Sequence, residues 1–570
     1  MKRNPNPYWG EPLYNLGLCL KYQGKHDEAY DWFYKATWNG GWQNQAYFMC
    51  AQLSVMQDRL DDALYETERA VRAGQHHHKA RALRAAILRK LGRKDEALAL
   101  IDESLKADLF NYSCRYEKYL LTGDTHELET IKEIMRQSPL NWHELALDYA
   151  QAGLWQECID ILRQADAVNP MTYYYIGWAE AMLGHKEEAK KAFEEAEAAD
   201  SYCCFPNRLE DILALSCAET LCEKSAKASY YLGCLYYDKR QYDVAIEAWN
   251  RSRELDNQFP AVWRCLALAA YNKEKNADKA LAYMEKAYSL DETDARILME
   301  YDQLLKVLQH PHQKRLALLQ KHSAEVAQRD ELVLEEIILL NHTGCYEEAM
   351  EKLKNHHFHV WEGGEGKVSG QYQFCRVELA KQYLKPETLN LKQAIKLLEE
   401  CLDFPHNLGE GKLYGAQEND FFYLMGCAYE KLGDIKKARK CWLKATEGPM
   451  EPAAAMYYND AKPDKIFYAG LAWQKLGEQG KANGVFYRLI TYGEKHIFDE
   501  VRMDYFAVSL PDLLIWDGDL QLQNTIHCEY MMALSHCGLG NSEKCERHLQ
   551  KAEALNINHQ GIQAFRTLIK

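Results

Sequence analysis

"LYNLGLCLKYQGKHDEAYDWFYKA", residues 13–36, reads as two short amphipathic helices joined at a glycine turn. The pattern returns as "MCAQLSVMQDRLDDALYETERA", residues 49–70, and as "ALRAAILRKLGRKDEALALIDES", residues 82–104. Ala29, Ala63 and Ala97 stand 34 residues apart, as do Gly17, Ala51 and Ala85. A small residue recurs where two helices must approach closely. Large apolar residues recur at helical spacing on the inward faces. An acidic pair opens each second helix, where negative charge complements the helix dipole. A fixed period of this length marks a chain built from stacked supersecondary units.

The unit continues through "NWHELALDYAQAGLWQECIDILRQADAVNP", "YYYIGWAEAMLGHKEEAKKAFEEA", "YYLGCLYYDKRQYDVAIEAWNRS" and "VWRCLALAAYNKEKNADKALAYMEKA". A degenerate helical stretch follows. "EEIILLNHTGCYEEAMEKL", "FYLMGCAYEKLGDIKKARKCWLKA", "FYAGLAWQKLGEQGKANGVFYRL" and "YMMALSHCGLGNSEKCERHLQKA" complete the series. These segments resemble the tetratricopeptide repeat. The expected fold is all-α, an α–α superhelix of about twelve helix–turn–helix units with long insertions in the C-terminal half. The expected divisions are a linker or junction at 1–9, regular repeats at 10–108, and repeats with two irregular breaks at 109–225. Repeats with the degenerate stretch follow at 226–354, and repeats with four long insertions at 355–570.

Composition narrows the function. The net charge of −15 disfavours non-specific binding to nucleic acid or anionic lipid. The longest apolar runs, such as "EEIILL", fall far short of a membrane span, and the N-terminus has no signal-peptide core. Eighteen cysteines without a secretion signal or a Cys-x-x-Cys pair point to free thiols and a cytoplasmic setting. Cys158 and Cys545 occupy the position of Ala29 and are expected to be packing residues.

The insertions carry the remaining signal, because long loops in a compact array are functional or disordered. "NHHFHVWEGGEGKVSGQYQF", residues 355–374, gathers three histidines, a tryptophan and two glutamates. Its Gly-Glu-Gly-Lys at 364–367 is echoed at 409–412, an offset of 45 residues. Neither copy is a phosphate loop. Trp361 and His406 stand where that motif needs its first glycine, and Val368 and Leu413 where it needs Ser or Thr. His356, His357 and His359 with Glu362 and Glu365 have zinc-type donors but no helical ligand spacing. Glu362, Glu365, Glu410, Glu418, Asp420, Asp517 and Asp519 could offer paired carboxylates for glycoside chemistry, but spacing alone does not make them converge. No catalytic, metal or cofactor residue is assigned, and the chain on its own is not read as an enzyme. His76, His77 and His78 are expected to form a solvated turn between repeats.

"NPNPYWGEPLYNLGLCL", "FHVWEGGEGKVSGQY", "PHNLGEGKLYGAQENDFFYLMG", "MYYNDAKPDKIFYAGLAWQKLG" and "GEKHIFDEVRMDYFAVSLPDLLIWDGDLQLQNTIHC" are similar to the C-terminal repeat region of a family of large bacterial proteins. In that family a β-sandwich domain of carbohydrate-active type precedes the repeats. The sandwich is missing here, so the sequence is a stand-alone homologue or part of a longer chain. The resemblance implies a scaffold holding a protein partner or a covalently linked β-sandwich domain. Two alternatives stay open: an accessory region completing a carbohydrate-processing active site, and an ordinary peptide-binding regulatory solenoid. The residues expected to share a binding surface are His359, Trp361, Glu362, Glu365, Lys367, Glu410, Lys412, Asn419 and Asp420.

Overall fold

Gly24, Asp58 and Gly92 all take the left-handed conformation, with φ of 74°, 57° and 73°. Each lies in the turn between the two helices of a repeat. The residue after it closes the first helix with a long-range turn bond: Lys25 to the Leu20 carbonyl at 2.9 Å, Arg59 to Ser54 at 2.8 Å and Arg93 to Leu88 at 2.8 Å. The first helices are Glu11–Tyr22, Gln43–Met56 and His78–Lys90; their partners are His26–Ala36, Leu60–Ala73 and Lys94–Ala107. Ala29, Ala63 and Ala97 are fully buried, as their 34-residue spacing requires.

A second rule sets how closely the paired helices pack. Glycine on a first helix faces an aromatic ring sixteen residues later, in Gly17/Phe33, Gly177/Phe193, Gly233/Trp249, Gly426/Trp442 and Gly470/Phe486. A Cβ on those glycines would lie only 2.3–2.7 Å from the ring atoms. The aromatic body takes the volume a side chain would otherwise fill.

The computed structural model describes residues 7–136, 138–165, 169–359, 361, 363–454, 460–502 and 515–569. Among them are 31 α-helices and three short 3-10 turns, with no strand. First helices stack on first helices of neighbouring repeats, as Gln43–Met56 does on His78–Lys90 and Asn419–Lys431 on Pro463–Lys475. This nearest-neighbour stacking defines a helical-repeat solenoid.

The chain divides into two compact units, Met1–Val262 and Trp263–Lys570. In the first, the earlier of the two irregular breaks within 109–225 holds a shortened pair, Tyr112–Thr122 and Thr125–Met135, turned at left-handed Gly123. The later of those two breaks holds one extra helix, Leu209–Leu221. Its Glu210 accepts hydrogen bonds from the Tyr22 hydroxyl and the Gln151 amide. Buried Glu117 is satisfied by Arg89 at 2.7 Å and by the Tyr149 hydroxyl at 2.8 Å.

In the second unit the first helices are Pro260–Asn272, Ala295–Val307, Asp330–His342, Lys367–Tyr383, Asn419–Lys431, Pro463–Lys475 and Leu520–Gly538. The degenerate stretch of the sequence is helical here, as His312–Lys321 and Ser323–Val326. The chain closes with Ser542–Leu555 and Gln560–Ile569. Trp516, just before Leu520–Gly538, is 2% exposed and donates its indole N–H to the Glu300 carbonyl at 3.0 Å.

The His76–His77–His78 run is solvated only in part. His76 is exposed, but the His77 ring packs on Phe48 at 4.7 Å and its Nδ1 accepts the Ala80 N–H at 3.1 Å. His77 therefore caps the helix His78–Lys90, a role that needs the neutral ring. Burial pushes its pKa down to about 4. The sequence reading missed this because histidine is not a usual cap residue.

Candidate functional site: the interlocked loops of the second unit

The two Gly-Glu-Gly-Lys loops meet. The first connects helix Tyr346–Asn355 to Lys367–Tyr383, and the second connects Leu391–Glu400 to Asn419–Lys431. Glu410 lays its carboxylate across the start of the helix Lys367–Tyr383, accepting the N–H groups of Gly366 and Ser369 at 2.8 Å each. Charge at that terminus complements the helix dipole. Asn407 of the second loop donates to the carbonyls of Leu353 at 2.7 Å and His356 at 2.8 Å. Its own carbonyl accepts the Phe358 N–H at 2.8 Å. Gly409, at φ 76°, comes so close that a Cβ would sit 2.5 Å from the Phe358 carbonyl oxygen. Only glycine meets both demands.

Most of the polar residues singled out in the sequence are used inside this construction. Lys412 donates to the Leu402 carbonyl at 2.7 Å and pairs with Glu418. Asn419 donates to the carbonyls of Ala445 and Glu447 at 2.8 Å each, fastening the end of the next helix, Ile435–Lys444. Buried Asp420 pairs with Lys465 at 2.6 Å. Burial raises the Asp420 pKa and Lys465 opposes the shift. Trp361 is half-buried, packed on the core and against Gly364. His359 is exposed, and its N–H donates to Asp330 at 2.7 Å. His356 also binds Asp330, at 2.6 Å. Glu365 and Lys367 are half-buried at the loop's end. Glu362 lies outside the described residues.

Two of the loop's three histidines, His356 and His359, thus converge on one carboxylate, Asp330, while His357 is exposed. Among the described residues no three His, Cys, Asp or Glu side chains are grouped to hold a metal ion. Asp517 pairs with Lys275 at 3.2 Å and Asp519 caps the helix Leu520–Gly538 through the Leu522 N–H at 2.9 Å. The loops leave one conspicuous feature outward: Leu413 and Tyr414, both exposed, on a turn held between Lys412 and left-handed Gly415.

Sequence reading missed Asn407 and Asp330. A signal existed for part of the network. The 45-residue offset of the two motifs recurs in Gln417 to Lys462, Asp420 to Lys465 and Glu430 to Lys475, all of them hydrogen-bonded pairs.

A stack of paired helices with buried alanines and left-handed turns every 34 residues defines a helical-repeat protein. Tetratricopeptide-repeat family models match residues 10–37, 50–111, 230–295 and 420–447, so the chain carries tetratricopeptide repeats at these places. Similar solved structures include yeast Tom70, at 17% identity over 76% of this chain and 96% of that one, with a TM-score of 0.23. The TPR domain of P58(IPK) matches at 13% identity over 76% and 99%, with a TM-score of 0.20. YrrB, described as a TPR protein with an unusual peptide-binding site, matches at 16% identity over 40% and 92%, with a TM-score of 0.15. No helix among the described residues is long and apolar enough to cross a membrane.

Proposed function

We propose that the chain is a non-catalytic scaffold and that the interlocked loops of the second unit dock a protein partner. The observation that supports this is how the loop polar groups are used. Glu410, Lys412, Asn407, Asn419 and Asp420 hydrogen-bond to backbone or to each other's neighbours, which builds a rigid platform. The exposed tip Leu413–Tyr414 then offers an apolar and aromatic contact at low entropic cost. Tetratricopeptide repeats in general mediate contacts between proteins. The resemblance to longer bacterial proteins makes a β-sandwich domain, in the same chain or another, the first partner to try. Eighteen free cysteines fit a reducing, cytoplasmic setting.

A photo-reactive amino acid at position 414 of the full chain tests this reading. One reproducible protein adduct, lost when Leu413→Ser and Lys412→Ala loosen the turn, supports it. Adducts spread over abundant proteins and unaffected by those changes overturn it. Heat evolved on titrating oligosaccharides, abolished by Tyr414→Ala, would favour the carbohydrate-linked alternative.

A further inference from the structure

The end of the chain does not simply cap the last repeat. Helix Gln560–Ile569 and the turn before it run across the first helices of repeats far earlier in the second unit. Asn558 donates to the Lys306 carbonyl at 3.0 Å, and Gln309 donates to the Leu555 carbonyl at 3.1 Å. Gln563 donates to the His342 carbonyl at 2.7 Å, Thr567 to Glu378 at 2.7 Å and Lys381 to the Ala564 carbonyl at 3.1 Å. The Gln560 and Gln371 amides face each other, and Phe565 meets Phe467 edge to face at 5.6 Å. The partners lie up to 252 residues away in sequence. The terminal helix occupies the face that successive first helices form.

Three imidazoles hold it: His559 accepts a hydrogen bond and so needs a neutral ring, while His312 and His342 donate from rings stacked on each other, where protons on both would set like charges face to face. Asn558 spends its amide N–H on Lys306, so its oxygen accepts from His312 Nε2 at 3.0 Å. Gln563 spends its amide on the His342 carbonyl, so its oxygen accepts from His342 Nδ1 at 2.6 Å. The two rings stack at 4.1 Å, and the other nitrogen of buried His342 has no partner. His559 Nδ1 accepts the Ile562 N–H at 3.1 Å and so caps the terminal helix. A proton on that nitrogen removes the cap.

The carboxylates near the stacked pair are already engaged by other cations. At His312 and His342 the nearby charges are Arg315, Lys306, Asp302 and Glu335, already paired two against two: Arg315 with Asp302 at 2.6 Å and Glu335 at 2.7 Å, and Lys306 with Glu335 at 2.8 Å. Around His559 stand the Tyr530 ring, tilted against it at 4.8 Å, His527, which opposes a proton there, and Asp464, which favours one; burial outweighs both.

We propose that residues 556–569 are a displaceable intramolecular ligand of the second unit's first-helix face, latched by neutral His312, His342 and His559 and released by acid. Burial lowers the pKa of all three, to about 4 for His342 and His559. Each of those two shifts from 6.5 to about 4 raises the opening constant about 20-fold between pH 7 and pH 5, if the ring regains its ordinary pKa on release.

Hydrogen exchange on the full chain, expressed as protection factors so that intrinsic rates cancel, tests this. Protection over 556–569 is expected to fall at least about 20-fold between pH 7 and pH 5 while that of helix Asn419–Lys431 holds. The variant His312→Gln/His342→Gln/His559→Asn, with amide bonds and a pH-independent cap, is expected to keep the neutral-pH protection and lose most of the fall. Equal loss over both segments, or a fall unchanged in the variant, overturns the proposal. If the triple variant folds poorly, His559→Asn alone must still lower the pH at which release occurs; an unshifted midpoint overturns the proposal as well.

Discussion

The Glu410 carboxylate accepts the N–H of Gly366, 44 residues earlier, at 2.8 Å. One side chain thereby caps the start of a helix in the preceding repeat and ties the two inserted loops together. Replacing Glu410 by alanine leaves the Gly366 and Ser369 N–H groups without their acceptor. A loss of about 1–2 kcal/mol in local stability is expected. Faster hydrogen exchange at residues 366–370, with the repeats of the first unit unchanged, is the measurement. Glu410→Gln should recover part of it, since the amide oxygen still accepts.

Glycine to alanine inside a helix ordinarily stabilises it. At Gly233 the opposite is expected, because the new methyl would meet the Trp249 ring at 2.3 Å. The same holds at Gly426 against Trp442. Overpacking of this kind costs about 1–3 kcal/mol. Denaturant titration followed by tryptophan fluorescence should show the loss, and Gly480→Ala, where nothing lies within 4 Å, should not.

Turn positions give a paired test. Asp58 holds the left-handed conformation that Gly24 and Gly92 hold in the neighbouring repeats. A residue with a Cβ there costs about 1 kcal/mol. Gly92→Ala is expected to destabilise by about that much, and Asp58→Gly to be neutral or mildly stabilising. Thermal unfolding of the two variants beside the parent decides it.

His143 provides a pH prediction in the first unit. Its ring is 1% exposed, stacked edge-on to Tyr175, and Nε2 bonds the Thr172 hydroxyl at 2.7 Å. Burial, with Arg208 adding repulsion, pushes its pKa down to about 3. The folded pKa lies below the unfolded one, so this contribution is complete above pH 6.5 and is lost as the pH falls toward 3. At pH 5 the loss is about 2 kcal/mol. His143→Gln keeps a hydrogen-bonding group without the titration. Exchange protection of helix Pro139–Ala150 should then fall less steeply between pH 6.5 and pH 4 than in the parent.

Much of this architecture can be read before any coordinate is known. The 34-residue spacing of Ala29, Ala63 and Ala97, the glycine and acidic turn signals, and the periodic apolar faces determine the paired helices and their stacking. Those features are local and repeated, so each unit states the same geometry again. The partners of the residues picked out in and beside the insertions could not be read, and Lys367, Asn419 and Asp420 among them open helices rather than lie in loops. Asn407, Asp330 and Trp516 act through contacts with segments that no repeat period links to them. The terminal helix against His342 and Gln371 is the extreme case. Such contacts depend on the curvature accumulated over many stacked helices, a sum of small rotations that no single stretch of sequence encodes. Only the tertiary structure decided which polar groups are used in holding the loops, and that the chain's own end occupies the face its repeats create.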